Sequence, residues 1–450
     1  MKQLLLITLF FAFIGKPYAQ TPPTGKFLII SDIHFNPFCY PDVVQQLTKT
    51  NYTGWQSVFE SSTNKTYGNY SADTYYELFI SGLKAMQAQN PHPDMIIING
   101  DFLSHEFGSA YVNTTHDFSQ DSLKPFINNT ISFVFMMLEK HFPNTPVLPV
   151  LGNNDDYCGD YHIQPNGDFL SFFGKQVQPL LDDMVQYDFM NTFSKGGYYK
   201  VSMPWDSTNV FIALNTIFYS NSYSNCNASD TSNPGWEEMA WLEKTLARCA
   251  ARGQKVWLSY HIPPGMDIYK SSKMPCGTGA EGMWRQDYND AFIALVNKYR
   301  RTIKGNFAGH THMDEFRLFS DSNGTTSYIH ITPAISPLFG NNPAFVEVTW
   351  KPDRMRLLNS VTYRFGGLEP GGSDTWKAEY NYGQTYGIKS ITTKNLTKLW
   401  TKMGTDPSYQ TDYSKYYFVN NPGKHITPWR SFWCGARYLT LAEFTDCNCK

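Results

Sequence analysis

The stretch Leu148–Cys158, LPVLGNNDDYC, begins as an apolar run of strand character and breaks at Gly152 into two asparagines and two aspartates. A chain that ends a buried strand on four polar side chains directs them at something other than the core. Four other apolar runs finish in the same manner: KFLIIS leads into Asp32-Ile33-His34, MIIING into Asp101, VWLSY into His261, and GNFAG into His310-Thr311-His312. The i, i+2 spacing of Asp32/His34 and of His310/His312 puts both members of each pair on one side of an extended segment. Strands are expected at KFLIIS, DMIIING, TPVLPVLG, NVFIALNT, KVWLSYH and TIKGNFAGH, and helices are predicted near 71–90, 122–141, 236–252 and 284–301. In the third helix Pro234 and Gly235 precede the first turn, Glu237 and Glu238 follow, and Gly253 ends the run. Strands that alternate with helices define an α/β chain. Ligands of open α/β sheets gather beyond the carboxyl ends of the strands, so one pocket is expected to receive all these groups.

Each motif alone has a bland reading: a strand-ending aspartate is ordinarily a turn or cap residue, and a lone histidine a satisfied core or surface group. Together Asp32, His34, Asp101, Asn153, His261, His310 and His312 form a donor set of carboxylate, imidazole and amide oxygen. That set suits zinc first, with manganese or iron as alternatives, and the lack of cysteine argues against a thiolate site. Seven ligands are too many for one tetrahedral ion and suit two divalent ions that share a carboxylate, for which Asp101 is the natural bridge. Two ions about 3.5–4 Å apart clamp phosphate oxygens during in-line attack, and a bound water with its pKa lowered to roughly 7 is the nucleophile.

The chain of 450 residues is rich in aromatics, carries a formal net charge of −2, and so has neither the composition of a disordered chain nor the charge of a general nucleic-acid binder. Lys2, the apolar run LLLITLFFAFIG and PYAQ read as a signal peptide over residues 1–19, with Ala19 at the cleavage point. The apolar run is too short to span a bilayer, so no transmembrane segment is expected in the mature chain. Export fits the eight scattered cysteines, read as disulfide-forming with the pairing open, and eight Asn-x-Ser/Thr sequons would be glycosylated in a eukaryotic secretory route. The character changes after residue 349 to a Gly- and turn-rich stretch and a short helix at NLTKLWTKMG. Residues 26–349 are therefore read as the catalytic domain and 350–450 as a C-terminal subdomain, stapled by disulfides.

The ordered set Asp32-x-His34, Gly100-Asp101, Gly152-Asn153, His261 and Gly309-His310-Thr311-His312 resembles the calcineurin-like metallophosphoesterase superfamily. The resemblance implies a four-layered α/β/β/α sandwich with mixed sheets. It implies one metal on Asp32, His34, Asp101 and His312 and the other on Asp101, Asn153, His261 and His310. Within the superfamily, SDIHFNPFCY, GDFLSH with His105, and TPAISPLFGNNPAFVEVTW are similar to the acid sphingomyelinase and sphingomyelinase-like phosphodiesterase branch. About seven residues separate Ala19 from the first strand, which is read as leaving no room for a saposin-like domain and points to the saposin-free members. These cleave nucleotides and other small phosphoesters. The expected substrate is a small-molecule or lipid-headgroup phosphoester.

Asn154 departs from the superfamily, which usually has histidine there to protonate the leaving oxygen. An asparagine amide can hydrogen-bond a phosphate oxygen but cannot deliver a proton. General acid catalysis contributes about 10²–10⁴-fold, so another donor is needed, and His105 is the choice. His162 is the weaker candidate and is read as a surface residue. Gly-Asn-Asn-Asp also resembles endopolyphosphatases, whose phosphate leaving group needs less protonation, although no basic run is present to receive a polyanion. A reading of another class is a catalytically degenerate, metal-stabilised binding protein, supported by Asn154 alone.

Overall fold

Runs of branched and aromatic residues without polar alternation become central strands, buried on both faces. In the computed structural model, which describes residues 24–450 apart from 182–183, 185–187, 204–205, 231 and 277, such runs build two mixed sheets. The expected leader at 1–19 lies outside the described residues. The strands are β1 (Gly25–Ile30), β2 (Ile96–Ile98), β3 (Val147–Pro149), β4 (Tyr199–Met203), β5 (Asp206–Ala213) and β6 (Val256–Ser259). They continue with β7 (Ile303–Ala308), β8 (Glu315–Asp321), β9 (Gly324–Ile331), β10 (Ala344–Lys351), β11 (Arg356–Phe365) and β12 (Trp376–Asn381). The first sheet has the order β12-β11-β10-β1-β2-β3 and the second β4-β5-β6-β7-β9-β8.

The sheets pack face to face, with Phe27 and Trp350 of the first meeting Trp257 and Phe307 of the second. Trp257 lies 5.4 Å from Phe27, 4.8 Å from Trp350 and 5.3 Å from Phe307 between ring centroids. These four rings are fully buried, and rings of this size dominate the apolar area of a core. Helices Tyr76–Gln89 and Asp168–Leu180 contact β10 and β3, and helix Gln120–His141 touches both. On the second sheet helix Gln286–Lys298 contacts β8 and β9 and is itself covered by helix Pro234–Ala251. Helices flanking two mixed sheets make the α/β/β/α sandwich expected above.

Two features bear on the site. β1, β2 and β3 run parallel as neighbours, as do β6 and β7, so five carboxyl ends converge at one edge of the double sheet. The chain after residue 349 also shares both sheets: β11 and β12 extend the first, and helix Thr393–Met403 contacts β8 and β9. Disulfides join Cys158 to Cys226, Cys434 to Cys447, and Cys276 to Cys449, the last tying the C-terminal end to the preceding region. Cys39 and Cys249 are unpaired. Among the described residues no helix is long and apolar enough to cross a membrane.

Candidate metal centre

Past three of the five strand ends, those of β1, β2 and β7, the backbone turns sharply, and candidate ligands are among the residues that turn it. φ is +49° at Asp32, +45° at His34, +57° at Asp101, +73° at His310 and +64° at His312. Side-chain-bearing residues rarely adopt this left-handed region, and such residues cluster where surrounding contacts over-determine them. Backbone bonds between the loops do so here. Asp32 N–H donates to Gly100 O (3.0 Å), His34 N–H to Asp101 O (2.9 Å), and Ser336 N–H to Asp32 O (3.1 Å). The glycines leave the space: a Cβ on Gly152 would lie 2.1 Å from Asp101 Oδ1, and one on Gly309 2.0 Å from Ser31 Oγ and 2.7 Å from Asp32 Oδ2.

All seven predicted donors come together, in two lobes about Asp101. In one lobe His34 Nε2 is 3.2 Å from His312 Nε2 and 3.3 Å from Asp101 Oδ2, with Asp32 Oδ1 3.5 Å from His312 Nε2. In the other, His261 Nε2 is 3.2 Å from Asp101 Oδ2, 2.9 Å from Asn153 Oδ1 and 3.3 Å from His310 Nδ1. A tetrahedral ion about 2.1 Å from each ligand would space those ligands about 3.4 Å apart, so both lobes have the dimensions of a metal's own coordination shell. The tautomers agree. His34 Nδ1 lies 2.8 Å from Leu103 O and His261 Nδ1 2.6 Å from Asn99 O, so each donates there and turns the Nε2 lone pair inward. His310 is reversed, with Nε2 against the Tyr161 hydroxyl at 3.3 Å and Nδ1 facing the lobe.

Electrostatics point the same way. Burial pushes the Asp32 carboxyl up to about 7, opposed by His261 and aided by Asp101. Burial, with His105 adding to it, lowers His34 to about 4, and burial, with His261 adding, lowers His310 to about 3. Burial also resists charge at His261 and Asp101, yet their mutual attraction wins: His261 rises to about 9 and Asp101 falls well below the usual carboxylate range. The nest thus keeps a positive charge beside Asp101, where divalent cations would replace the proton.

Four residues support the donors. Asn153 Nδ2 donates to Asp160 Oδ1 (2.7 Å), which turns its Oδ1 toward His261. Asp155 accepts four backbone N–H groups, from Asp101 (3.0 Å), Phe102 (2.8 Å), Leu103 (3.2 Å) and Gly152 (2.9 Å), and so ties the loop after β2 to the loop after β3. Asn154 turns both its N–H groups to Asp101, the backbone to Oδ1 at 2.8 Å and the amide to Oδ2 at 2.9 Å. Asp73 receives the His105 backbone N–H at 2.9 Å, the Ser336 hydroxyl at 2.8 Å, and lies 3.1 Å from His105 Nδ1.

His105 itself stacks on His34 with centroids 4.0 Å apart, and its ring nitrogen falls in one cluster with those of His34 and His312. Burial opposes charge on His105, but Asp73 outweighs it and raises the imidazole above its ordinary value. His162 is turned to its own loop, with Nδ1 2.6 Å from Asp160 O, and joins no cluster of candidate ligands among the described residues. A third grouping, Asp156 with Cys158 and Cys226, is closed to metal because both sulfurs form a disulfide. Asp73, Asp155 and Asp160 were not singled out from sequence. Asp155 had a signal, since it lies within the polar break that opens the GNND loop.

The family model for the calcineurin-like phosphoesterases matches residues 25–314, and the chain belongs to that family, a metal-dependent phosphodiesterase hydrolase with a dinuclear divalent centre. Its relatives place it in the sphingomyelinase-like branch. It is 26% identical over 451 residues to the cyclic GMP-AMP phosphodiesterase SMPDL3A of Rattus norvegicus, covering 96% of this chain and 94% of that one. It is 27% identical over 450 residues to sphingomyelinase phosphodiesterase D of Dictyostelium discoideum, covering 94% of each. Against the human acid sphingomyelinase-like phosphodiesterase 3b it is 26% identical over 410 residues, covering 88% of this chain and 83% of that one.

Proposed function

We propose that the chain is an exported phosphodiesterase with zinc in both lobes, acting on nucleotides, including cyclic dinucleotides, or on choline phosphodiesters. One ion is held by Asp32, His34, Asp101 and His312, the other by Asp101, Asn153, His261 and His310. The observation that carries this reading is Asp101 Oδ2, placed 3.3 Å from His34 Nε2 and 3.2 Å from His261 Nε2, a carboxylate shared between two imidazole lobes. When bound, the ions supply Lewis acidity to the attacking water and the phosphoryl oxygens. Asn154 holds the shared carboxylate in register, a task open to asparagine although proton donation is not. His105 delivers the proton to the leaving oxygen from Nε2, while Asp73 accepts Nδ1–H and fixes the ring. Export is supported by the leader-like residues 1–19 and by three disulfides, which persist in oxidising compartments. The names of the relatives support the two substrate groups.

The test is phosphorus-detected turnover by the purified, zinc-loaded protein on ATP, a cyclic dinucleotide, CDP-choline, sphingomyelin in detergent, and long-chain polyphosphate, with Asp101→Ala as control. Cleavage of phosphodiester substrates, abolished with metal content in the control, is the expected result. Cutting of polyphosphate alone would make the chain an endopolyphosphatase. Silence on every substrate with metal bound would make it a binding protein.

A further inference from the structure

Helix Pro234–Ala251 carries Thr245, Arg248 and Cys249 on one face, and Arg252, just past its end, continues the i, i+3, i+4, i+7 spacing. That face closes a hollow of about 180 Å³ at the edge of the second sheet, lined also by Lys200 of β4 and by Gln254. The hollow lies away from the metal centre: Gln254 precedes β6, whereas His261 follows its far end. It is smaller than the about 300–1,000 Å³ of pockets that enclose drug-sized molecules.

Three cations share this small space. Burial pushes the Cys249 thiol up, and the Lys200 ammonium and the Arg252 guanidinium both oppose that rise, so both charges act on the wall of the hollow. Arg248 stands one turn before Arg252 on the same face. Cations at a helix end ordinarily complement its carbonyls. Here those carbonyls are taken: Arg252 N–H donates to Arg248 O and Cys249 O (each 3.2 Å), Gly253 N–H to Ala250 O (3.1 Å) and Gln254 N–H to Cys249 O (3.0 Å). Nearby Glu243 is engaged by Lys298 at 2.6 Å. Among the described residues Lys200 has only the half-exposed Asp188, 3.9 Å away, and no carboxylate pairs with Arg248 or Arg252.

A second observation points to a ligand. Thr245 is 4% exposed and lines the hollow, yet its hydroxyl has no hydrogen-bond partner among the described residues, and neither has the Gln254 amide. Threonines inside helices commonly return the hydroxyl to the carbonyl four residues back, as Thr130 does to Phe126 O (2.8 Å). A polar group so deeply placed is as a rule partnered.

We infer that Lys200, Thr245, Arg248, Arg252 and Gln254 form a second binding site, for a tetrahedral oxyanion: a phosphate or sulfate group, free or at the end of an ester. Guanidinium forks match pairs of oxygens on such a group, and the lysine adds a point charge. The threonine hydroxyl and the glutamine amide donate to the remaining oxygens. The site uses nothing of the metal centre, so it stands apart from the phosphodiesterase reading.

The experiment is equilibrium dialysis of radiolabelled inorganic sulfate against the zinc-loaded full-length protein at low ionic strength. Arg248→Ala combined with Arg252→Ala is expected to remove one equivalent of bound sulfate per chain and to leave zinc content and Tm unchanged. Thr245→Val keeps the shape and deletes the hydroxyl, and is expected to weaken that equivalent about fivefold; added sodium chloride should weaken it further. Displacement by glycerol phosphate at lower concentration than by inorganic phosphate would assign the group to an ester. Flotation of the wild-type protein, but not of the double variant, with vesicles of phosphatidic acid in phosphatidylcholine would assign it to a lipid headgroup. A wild-type protein that binds no more sulfate than the double variant would overturn the site. So would loss of all bound sulfate in Asp101→Ala, which would put every anion at the metal centre. Unaltered affinity in Thr245→Val would reduce the hollow to surface charge and overturn it likewise.

Discussion

Asp155→Asn is the substitution whose effect is best worked from the geometry. Asp155 Oδ1 accepts from Phe102 N–H (2.8 Å) and Leu103 N–H (3.2 Å), and Oδ2 accepts from Asp101 N–H (3.0 Å) and Gly152 N–H (2.9 Å). An amide keeps one oxygen and sets an NH₂ against two N–H donors, so two bonds are lost whichever way it turns; burial, with Asp101 adding to it, raises the Asp155 carboxyl to about 7, so the acceptor is fully charged only well above that pH. In the charged form each such bond is worth about 1.5–3 kcal/mol, and relief of repulsion with buried Asp101 returns part of it, leaving a net loss of about 3 kcal/mol. Unfolding entropy of about 2.1 cal/mol/K per residue, summed over 450 residues, converts that into a fall of only about 3 °C in Tm. The local effect is larger, because the same bonds hold Asp101 at φ +57°. Loss of a group that orients a ligand typically lowers metal affinity about 10–100-fold. The assay pairs a chelator titration, with metal content read by elemental analysis, with thermal unfolding of the metal-free protein. A variant that keeps wild-type metal affinity would refute the claim that Asp155 builds the bridging position.

The other predictions follow from the same contacts. Asp73→Asn should slow phosphodiesters with alkoxide leaving groups by about 10²-fold and spare those with nitrophenolate, which needs little protonation; equal losses on both would remove Asp73 and His105 from proton delivery. Zinc binding to the metal-free protein should release about one to two protons near pH 7, since His261 is raised to about 9 and Asp32 to about 7 while metal requires both deprotonated. The sign for His261 follows: its pairing with Asp101 stabilises the metal-free fold fully below about pH 6.5 and is lost as pH rises through about 9, so zinc affinity should increase over that interval. An indicator-dye titration in weak buffer that shows no release would contradict this. Gly309→Ala should leave a folded protein with little bound metal, because its Cβ would fall 2.0 Å from Ser31 Oγ; wild-type metal content would show that the loop yields.

The donors were legible because each lies at or just past the end of an apolar run, a local pattern that needs no tertiary information. Helices were legible for the same reason: the run predicted at 236–252 forms over Pro234–Ala251, and that at 122–141 over Gln120–His141. Asp73 was not, since it sits in SADTYYE with no strand before it. It reaches the centre only because Asn36 N–H donates to Thr74 O (3.0 Å) and Thr74 N–H to His34 O (3.1 Å). The hairpin of β8 and β9 escaped notice because its buried face includes Arg317, paired with Glu315 at 3.1 Å, so apolar alternation is interrupted. β11 was hidden by its polar residues Asn359, Ser360 and Thr362, which pairing with β10 and β12 shelters.

The strained backbone explains why so few residue types serve at these positions. A left-handed conformation costs a non-glycine residue about 1–2 kcal/mol, so five such ligands together cost about 5–10 kcal/mol. Glycine at any of them would remove the strain and the ligand with it. The offset lies in the loops: Asp32, His34 and Asp101 each give or take backbone bonds across the β1–β2 junction, and Asp32 also accepts His310 N–H on its carboxylate at 3.0 Å. That last bond spans the two sheets, because His310 follows β7 and Asp32 follows β1. The two sheets, packed on Phe27, Trp257, Phe307 and Trp350, fix the strand ends, the interloop bonds fix the turns, and the carboxylates left facing one another create the charge that cations relieve.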